Sequence, residues 1–532
     1  MKTILWALQL LLTATVAIGE IKYYCVPPGT ADVPENPDYL SWETAGTNIH
    51  EALKIANGNH PGQSVQRTLY VQSGTYIITN QLEINNAQFE IRSSKGPRAE
   101  NEIDRDGTIL CGGYPASTNR ILHVKSDSFW SRYAVIRGFT ITNGWVEGDG
   151  GGVYFSGARH DSVCIADCRI TGNVAYRGMG GGIAFLPSEA GAGHITNCIV
   201  TGNIATNDFI KGSLAGLNGS AVAIGHKAQA SKGAVSRNAG YRIFDTVISG
   251  NLSCGNAIAS SALLTHNASV WIENCKITEN RGLAMSGGNT ADGAAVSLTP
   301  GSVMLCCTIA SNHTENGTAS AVHAKSASAI TNCVLQCNTG ATSFVADGRD
   351  GKYNNLPVIL SNSSVVGKIG EGSVLVQTGN GFIMRNCLLM NATGASFTIA
   401  SRSAALKNES EDVTVENCTL ANNAKAVFCL GSKPFALVNT AVFGSTIRDL
   451  HQTSDAGAGI SFTNCYFDTT APRHSDDIAS RPSTGCVFSD SAGFNDPASG
   501  DFSLHRKSSL RDAGLRLDWM DHAKDLAGKP RL

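Results

Sequence analysis

A short phrase recurs along most of this chain and constrains its fold more than any other feature. In full form it reads Asn-Cys, one variable residue and then an aliphatic or aromatic residue, and another Asn often follows a few positions later. Successive copies lie 22 to 48 residues apart, which predicts a solenoid whose units bury their apolar sides only by stacking. Counting partial copies, the phrase begins at Asp167, Asn197, Asp245, Asn274, Cys306, Asn332, Asn362, Asn386, Asn417, Asn439 and Asn464.

One unit indicates how a coil is built. Along residues 270–273 apolar and other side chains alternate, as in a strand with one buried face. Cys275 and Ile277 alternate with the opposite parity, so the chain must bend at Asn274, a residue type that tolerates left-handed backbone angles. Many units add a third short apolar strand after a Gly-rich or Ala-rich entry, for example residues 152–155.

Three short strands per turn predict an all-β fold, a single-stranded right-handed parallel β-helix of about twelve coils. The units show no helix-period apolar stripe, and the 57 glycines among 532 residues disfavour a helical repeat. Charged residues make up only 16 % of the chain. We expect the bend asparagines to be structural, so that Asn274→Ala or Asn332→Ala costs about 1–3 kcal/mol as a buried polar group left unpaired.

The two ends of the chain carry other signals. Residues 1–19 combine Lys2, an apolar run and small residues near position 19, which predicts a secretory signal peptide. Residues 47–57 predict a short helix capping the N-terminal end of the core. Its apolar stripe consists of Ile49, Ala52, Leu53 and Ala56. The predicted organisation is a signal peptide at 1–19, an N-terminal cap with the first coils at 20–110, the β-helix at 111–490 and a C-terminal tail or cap at 491–532.

Sixteen cysteines in a chain predicted to be exported raise the question of disulfides. Seven of them directly follow the first Asn or Asp of the phrase and are predicted to point inward, which favours a ladder of free, buried thiols. Disulfides and metal ligation are the alternatives, although no pair has the spacing of a zinc site. Outside the ladder, Cys25 and Cys111 are the more favourable pair for a bridge.

Both ends of the predicted mature chain resemble a known group of proteins. The opening carries Ser-Trp-Glu-Thr-Ala at 41–45, Thr-Asn-Ile at 47–49, Glu-Ala-Leu at 51–53, Tyr-Val at 70–71 and Gly-Thr-Tyr at 74–76. The far end carries Gly-Phe at 493–494, Asp-Pro at 496–497, Gly-Asp-Phe at 500–502, Asp-Ala-Gly at 512–514 and Asp-Leu-Ala-Gly-Lys-Pro-Arg at 525–531. These segments resemble bacterial secreted right-handed parallel β-helix proteins of the pectate-lyase-like superfamily with a choice-of-anchor-type tail.

This resemblance implies an exported β-helix whose ligands lie along the outer face of one sheet. The superfamily includes polysaccharide lyases and hydrolases, and the fold alone selects none of these activities. The outward positions of the third strand offer no paired carboxylates for glycoside hydrolysis, but they include Tyr154, a candidate substrate-binding residue. The outward positions of the third strand are predicted to be Tyr154, Ala184, Ala223, Thr265, Ser297, His323 and Thr398.

A polysaccharide lyase needs a base and a cation beside the acidic proton. His323 and Lys325 are predicted to be solvent-exposed neighbours on one strand, with Arg349 in the corner loop of the next coil, and these three are the catalytic candidates. Asp347 and Asp350 of that loop could supply oxygens to Ca²⁺. No other cofactor or metal is predicted. The alternative interpretation is a solvated strand edge beside a polar loop.

Another long loop, at 226–240, carries four basic side chains and no acid. Lys227 and Arg237 are therefore candidates for binding an anionic sugar, although such a loop is more often a tolerated insertion. The net charge of −2 and the pI near 6.7 argue against a nucleic-acid partner.

These features predict a secreted or cell-surface protein that acts as a non-catalytic binding or structural module, most directly toward a polysaccharide or cell-surface glycan. A polysaccharide lyase acting on an acidic glycan and an adhesin are the alternatives. Catalysis is left open, with a lyase favoured over a glycoside hydrolase. Beyond the signal peptide, no segment of the sequence is long and apolar enough to span a membrane.

Overall fold

The structure is a computed structural model. It describes residues 20–58, 65–85, 88–125, 133–156, 162–187, 191–206, 217–219, 221–225, 236–255, 258–266, 268–284, 294–315, 319–340, 342–347, 356–367, 374–377, 381–392, 395–400, 413–429, 435–452, 460–470, 483–526 and 528–529. The predicted signal peptide, Lys227, Arg349 and Asp350 lie outside these ranges, as does the side chain of Arg237.

Three long parallel sheets form the walls of a right-handed β-helix, as the repeated phrase predicts. Sheets A, B and C contain 16, 15 and 14 strands in the described part of the chain. Neighbouring strands come from successive turns of the chain and pair in parallel, with apolar side chains facing a single core. Each coil contributes one strand to each long sheet, so these sheets contain more strands than the twelve or so coils expected. The difference arises because the first coils lack the Asn-Cys phrase.

The strands of sheet A are Ile21–Cys25, Arg67–Gln72, Phe89–Ser94, Tyr133–Arg137, Ser162–Ala166, Ala192–Thr196, Ser236–Phe244, Ala268–Glu273, Val303–Leu305, Ala329–Thr331, Val358–Ser361, Phe382–Arg385, Val413–Glu416, Phe435–Val438, Ile460–Thr463 and Ser483–Thr484. Those of sheet B are Gly74–Ile78, Thr108–Gly112, Thr140–Thr142, Arg169–Thr171, Ile199–Thr201, Val247–Ser249, Lys276–Thr278, Thr308–Ala310, Val334–Gln336, Ser364–Val366, Leu388–Met390, Thr419–Ala421, Ala441–Phe443, Tyr466–Asp468 and Val487–Ser489. Those of sheet C are Leu82–Ile84, Leu122–Val124, Val153–Phe155, Ile183–Phe185, Leu217–Gly219, Val222–Gly225, Ile258–His266, Ala294–Leu298, Ala319–Lys325, Thr342–Asp347, Val374–Gln377, Ala395–Ala400, Lys425–Cys429 and Arg448–Gln452.

A fourth, shorter parallel sheet lies between sheets B and C in the middle of the described solenoid. Its strands are Trp145–Glu147, Val174–Tyr176, Ile204–Thr206, Leu252–Gly255, Arg281–Ala284 and His313–Glu315, and we call it sheet D. Near the C-terminus, an antiparallel hairpin and a 3₁₀ helix follow the last coil. They comprise Phe494–Asp496, Asp501–Leu504 and Asp518–His522.

The chain turns from sheet A to sheet B at the first residue of each phrase. All eleven of these residues have φ between 47° and 56°, in the left-handed region that Asn and Asp tolerate best among residues with a side chain. The bend is therefore confirmed. Asn274 and Asn332 are exposed, however, so the expected penalty for an unpaired buried amide is wrong for these two positions.

The residue after each bend points into the core. The described cysteines at this position are buried and free, which confirms the predicted thiol ladder. They are Cys168, Cys198, Cys275, Cys307, Cys333, Cys387, Cys418 and Cys465. Cys25 and Cys111, the more favourable pair for a bridge, are also both free. Cys25 is buried inside the wall, whereas Cys111 follows the outward parity of the strand Thr108–Gly112.

The second asparagine of the phrase forms a ladder buried in the corner between sheets B and D. Each Nδ2 amide donates to the Oδ1 of the next rung at 2.8–3.1 Å. Each of these side chains is at most 1 % exposed. The rungs are Asn173, Asn203, Asn251, Asn280, Asn312 and Asn338. The buried amides of this row therefore differ from those of the exposed bend residues Asn274 and Asn332.

The helix Ile49–Ala56 lies where the sequence predicts one. Asn48 caps it by accepting hydrogen bonds from the backbone N–H groups of His50 and Glu51 at 3.0 and 3.2 Å. The four predicted apolar residues are buried in the main core, beside the first strands of sheets A and C. Its role as an end cap stays a prediction. Neither helix in the described ranges has the length and apolarity needed to cross a lipid bilayer.

The C-terminal tail returns along the outside of the corner between sheets A and B. The Asn439 side chain accepts from the backbone N–H of Leu515 and donates to the Leu515 carbonyl, both at 2.7 Å. Asn386 donates to the Lys524 carbonyl at 2.7 Å and is 2 % exposed. The tail therefore lies on the bends of the last coils.

Candidate functional site

The outward positions of sheet C form a continuous row across the coils. The prediction is corrected at one coil, where Leu264 and not Thr265 pairs with Ala223. Two adjacent leucines at 263–264 leave the parity of this strand ambiguous in the sequence, and the register of the strand shifts beside them. In register, the row is Glu83, His123, Tyr154, Ala184, Ala223, Leu264, Ser297, His323, Val345, Leu375 and Thr398.

The middle of this row is buried, which makes the prediction of a solvent-exposed His323 wrong. His323 is 0 % exposed, and its Nε2 lies 3.3 Å from Oδ2 of Asp347, itself 5 % exposed. Leu264 and Val345 are buried as well. Lys325 is half-buried and pairs in register with Asp347. The parity of a strand gives the side of the sheet on which a residue lies, but here residues on that side are buried as well.

The predicted lyase and metal candidates do not assemble into a site in the described part of the chain. His323 has no solvent access for proton abstraction, and the described ranges contain no group of three His, Cys, Asp or Glu side chains placed to hold a metal ion. Arg349 and Asp350 lie outside the described residues. Ca²⁺ binding through Asp347 and Asp350 therefore stays a prediction.

The first three positions of the row are polar and only half-buried. Glu83, His123 and Tyr154 stand one above the other on successive strands. Side chains from the strand ends and from the loop before Leu122–Val124 surround them. We call this group the outer cluster, and it consists of Gln81, Glu83, Arg120, His123, Lys125, Tyr154 and Ser156.

An ion pair holds one carboxylate of the outer cluster in its ionised form. Lys125 Nζ lies 2.7 Å from Glu83 Oε2, and Gln81 Nε2 donates to Glu83 Oε1 at 2.8 Å. The hydrogen bond from Lys125, with the smaller contribution of Gln81, holds the pKa of Glu83 below its ordinary value. Glu83 is therefore an anion and hydrogen-bond acceptor at neutral pH.

Arg120 and His123 both pack on the ring of Tyr154. The Arg120 guanidinium carbon lies 4.8 Å from the ring centroid, and the His123 ring stacks at 5.0 Å with an interplanar angle of 22°. Arg120 donates to Gln81 Oε1 at 2.8 Å and to the Asp149 carbonyl at 3.2 and 3.3 Å. Burial lowers the pKa of Arg120, but guanidinium groups remain charged in proteins.

Both ring nitrogens of His123 have partners in the outer cluster. Nε2 lies 2.8 Å from Ser156 Oγ, and Nδ1 lies 3.5 Å from Gln81 Nε2. The imidazole is thus oriented by residues from the coils on either side of it. Together, the cluster presents an aromatic ring, two cations, one carboxylate and several neutral hydrogen-bonding groups, which is suited to a polar ligand with many hydroxyls.

The sequence predicted Tyr154 and missed the rest of the outer cluster. Glu83 and His123 are the central residues of Leu-Glu-Ile and Leu-His-Val, which match the apolar, polar, apolar pattern of Val-Tyr-Phe around Tyr154. Aligning these three triplets would have found them. The repeated phrase begins only at Asp167, so nothing in it extended the alignment to the first coils.

Comparison with known proteins adds little to this description. No family model and no curated protein sequence matches the chain. Among solved structures, it is similar to pectate lyase Pel9A, with a TM-score of 0.33 at 12 % identity over 98 % of both chains. Tailspike protein 3 of bacteriophage CBA120 gives 0.34 at 10 % identity over 79 % of this chain and 63 % of that one. A GH87 alpha-1,3-glucanase catalytic domain in complex with nigerose gives 0.30 at 10 %, over 78 % and 66 %. Similarities this low carry no argument about function.

Proposed function

We propose that this protein binds carbohydrate without catalysis through the outer cluster on sheet C. The observation that carries the proposal is the Tyr154 ring flanked by Arg120 and His123 on a half-buried stretch of the sheet. Cations and amides bind the oxygens of sugars, and the Tyr154 ring supplies an apolar contact beside them. We further propose that the chain is exported and meets a polysaccharide or cell-surface glycan outside the cell.

The arrangement of the carboxylates supports binding over glycoside hydrolysis. A hydrolase uses one protonated and one ionised carboxyl group, whereas Lys125 keeps Glu83 ionised. The nearby Asp149 is 8 % exposed and accepts the backbone N–H of Met179 at 2.9 Å, a structural role. Within the described residues, the outer cluster therefore has an anion but no second carboxyl group suited to act as the acid.

A polysaccharide lyase is the second candidate, because His123, Arg120 and Lys125 bring a base and two cations together. His123 would have to release Ser156 before its Nε2 could take a proton. Its present hydrogen bonds instead suit a fixed binding group. An adhesin that binds the glycan of another cell would use the same surface as the binding module.

Affinity electrophoresis tests the proposal. The wild-type protein should be retarded by at least one glycan in a panel of alginate, pectate, sulfated and neutral polysaccharides. Tyr154→Ala and Arg120→Lys should lose most of that retardation. Lys276→Ala is a matched control, because Lys276 is an exposed cation on sheet B.

Mobility is compared with and without glycan, so that the altered charge of a variant cancels. Full retardation of both cluster variants would contradict the assigned site. The release of unsaturated product, followed by ultraviolet absorbance and abolished by His123→Ala, would contradict the non-catalytic proposal and establish the lyase.

A further inference from the structure

Three aromatic rings from successive coils form a second feature on the outside of the solenoid. The ring centroids of Tyr114 and Trp145 lie 5.7 Å apart at 14°, and those of Trp145 and Tyr176 lie 5.6 Å apart at 22°. Tyr114 is 46 % exposed, and the other two rings are half-buried. We call these three side chains the aromatic row. A contiguous surface group of large rings commonly marks an interaction site.

The aromatic row is continuous with the outer cluster. The backbone N–H of Trp145 donates to the carbonyl of Asn119 at 3.2 Å, and Asn119 directly precedes Arg120. Arg120 in turn donates to the carbonyl of Asp149, two residues after the strand that carries Trp145. Hydrogen bonds through a single loop therefore join the two surfaces.

At the corner between the two surfaces, the coils stack too closely for side chains. A Cβ atom added at Gly178 would lie 2.0 Å from the carbonyl oxygen of Gly148. One added at Gly151 would lie 2.5 Å from the carbonyl of Val174. Residues 148–152 are glycines apart from one buried aspartate. The tight stacking of this corner therefore fixes how the two surfaces lie relative to each other.

The charges along the aromatic row are balanced. The Arg177 guanidinium lies 5.0 Å from the centroid of Tyr176 and 2.9 Å from Oε1 of Glu147. The row therefore consists of stacked, partly exposed rings beside a neutralised ion pair. Such a surface fits uncharged sugar residues, whose C–H groups can contact the exposed parts of the rings. A nucleic acid would require a net positive surface.

We propose that the aromatic row is a second contact site, which takes neutral sugar residues of the same polysaccharide chain that occupies the outer cluster. This inference rests on the proposed function. It extends the ligand across the glycine corner, so a polymer that reaches both surfaces binds more tightly than an oligosaccharide that fills only one.

The test uses Trp145→Ala and the milder Tyr114→Ala, with Trp271→Ala as control. Trp271 is a surface tryptophan on sheet A, 41 % exposed. Binding is measured for the polysaccharide that retards the wild type and for short oligosaccharides made from it. We expect Trp145→Ala to weaken polymer binding about fivefold, the effect of losing roughly 1 kcal/mol of ring contact. We expect Trp271→Ala to leave it unchanged.

Protein fluorescence provides an independent readout. Polymer should change the tryptophan emission of the wild type and of Trp271→Ala but not of Trp145→Ala. If Trp145→Ala and Tyr114→Ala both bind polymer like the wild type while Tyr154→Ala does not, the inference is overturned and the proposed function stands. A changed oligomeric state with unchanged glycan binding would also overturn it. Retardation of the wild type by no glycan would overturn both proposals.

Discussion

The outward row of sheet C consists of two stretches that show the same sequence pattern but differ in their exposure to solvent. In the first, Glu83, His123 and Tyr154 are half-buried, and both Glu83 and His123 form side-chain hydrogen bonds. In the second, Leu264 and His323 are sealed from water, and His323 lies beside Asp347. The same alternation thus produces a partly exposed polar surface in one place and a buried face in another, so a histidine on this row can be accessible or sealed from water.

The largest effect that would test this comparison is a loss of stability at His323. His323→Ala leaves the buried Asp347 without its imidazole partner, and we expect it to lower the free energy of unfolding by about 3 kcal/mol. His123→Ala, in the open stretch, should cost less than about 1 kcal/mol. Urea denaturation measures both. Equal midpoints for the two variants would show that the stretches do not differ as described.

Buried and exposed positions can also be compared among the asparagines at the corners of the coils. Asn280→Ala removes a rung of the buried ladder, including the Oδ1 that accepts the backbone N–H of Asn251 and the amide that donates to Asn312, so we expect a cost of about 2 kcal/mol. Asn274→Ala, at an exposed bend with φ of 53°, should cost about 1 kcal/mol through the left-handed backbone alone. Thermal unfolding of the two variants checks the order, and a reversed order would mean that the bends and not the ladder carry the buried-amide energy.

Binding should respond to the open stretch in a way that stability does not. Arg120→Lys keeps the positive charge but loses the planar fork that reaches Gln81 and the Asp149 carbonyl. We expect glycan affinity to fall about fivefold, or roughly 1 kcal/mol, with a change in the free energy of unfolding below about 0.5 kcal/mol. Titration calorimetry and denaturation measure the two quantities separately. A large loss of stability would place Arg120 with the structural stretch.

The smallest expected effect is on the free energy of unfolding at acidic pH. Because Lys125 holds the pKa of Glu83 below its ordinary value of 4.5, the unfolded chain takes up the proton first on acidification. The stabilisation, about 0.5 kcal/mol for so exposed a pair, is present above pH 4.5 and is lost as pH falls through the lower folded pKa. Glu83→Gln should therefore be less stable than the wild type at neutral pH and equally stable in acid. Denaturation across that range checks this, and a constant difference would contradict it.

Much of the fold could be predicted from the sequence, because the bend imposes chemical requirements at a fixed place in each coil. The left-handed backbone at the bend favours Asn or Asp. The residue that follows the bend faces the core and is Cys in most coils. The helix Ile49–Ala56 could also be predicted, because a capping asparagine and an apolar stripe are required at fixed places in such a helix. The register at Leu264 was not, since two adjacent leucines fit either parity.

The candidate site was only partly predictable. Tyr154 belongs to a strand triplet, and Glu83 and His123 could have been found from matching triplets. Arg120 comes from a loop whose path no periodicity predicts. Whether the outer face of a strand meets solvent depends on segments far away in the sequence, which is why His323 was assigned to the surface.

The asparagine ladder also sets the step by which such a molecule can change in length over evolution. All five described hydrogen bonds between rungs point the same way, from each amide to the next rung toward the C-terminus. Adding or deleting one whole coil would leave every remaining amide with an identical neighbour. Between Asn203 and Asn251 the chain inserts enough residues to make a step of 48, yet the rung still closes at 3.1 Å. Loops can thus grow freely while the number of coils changes only in whole units.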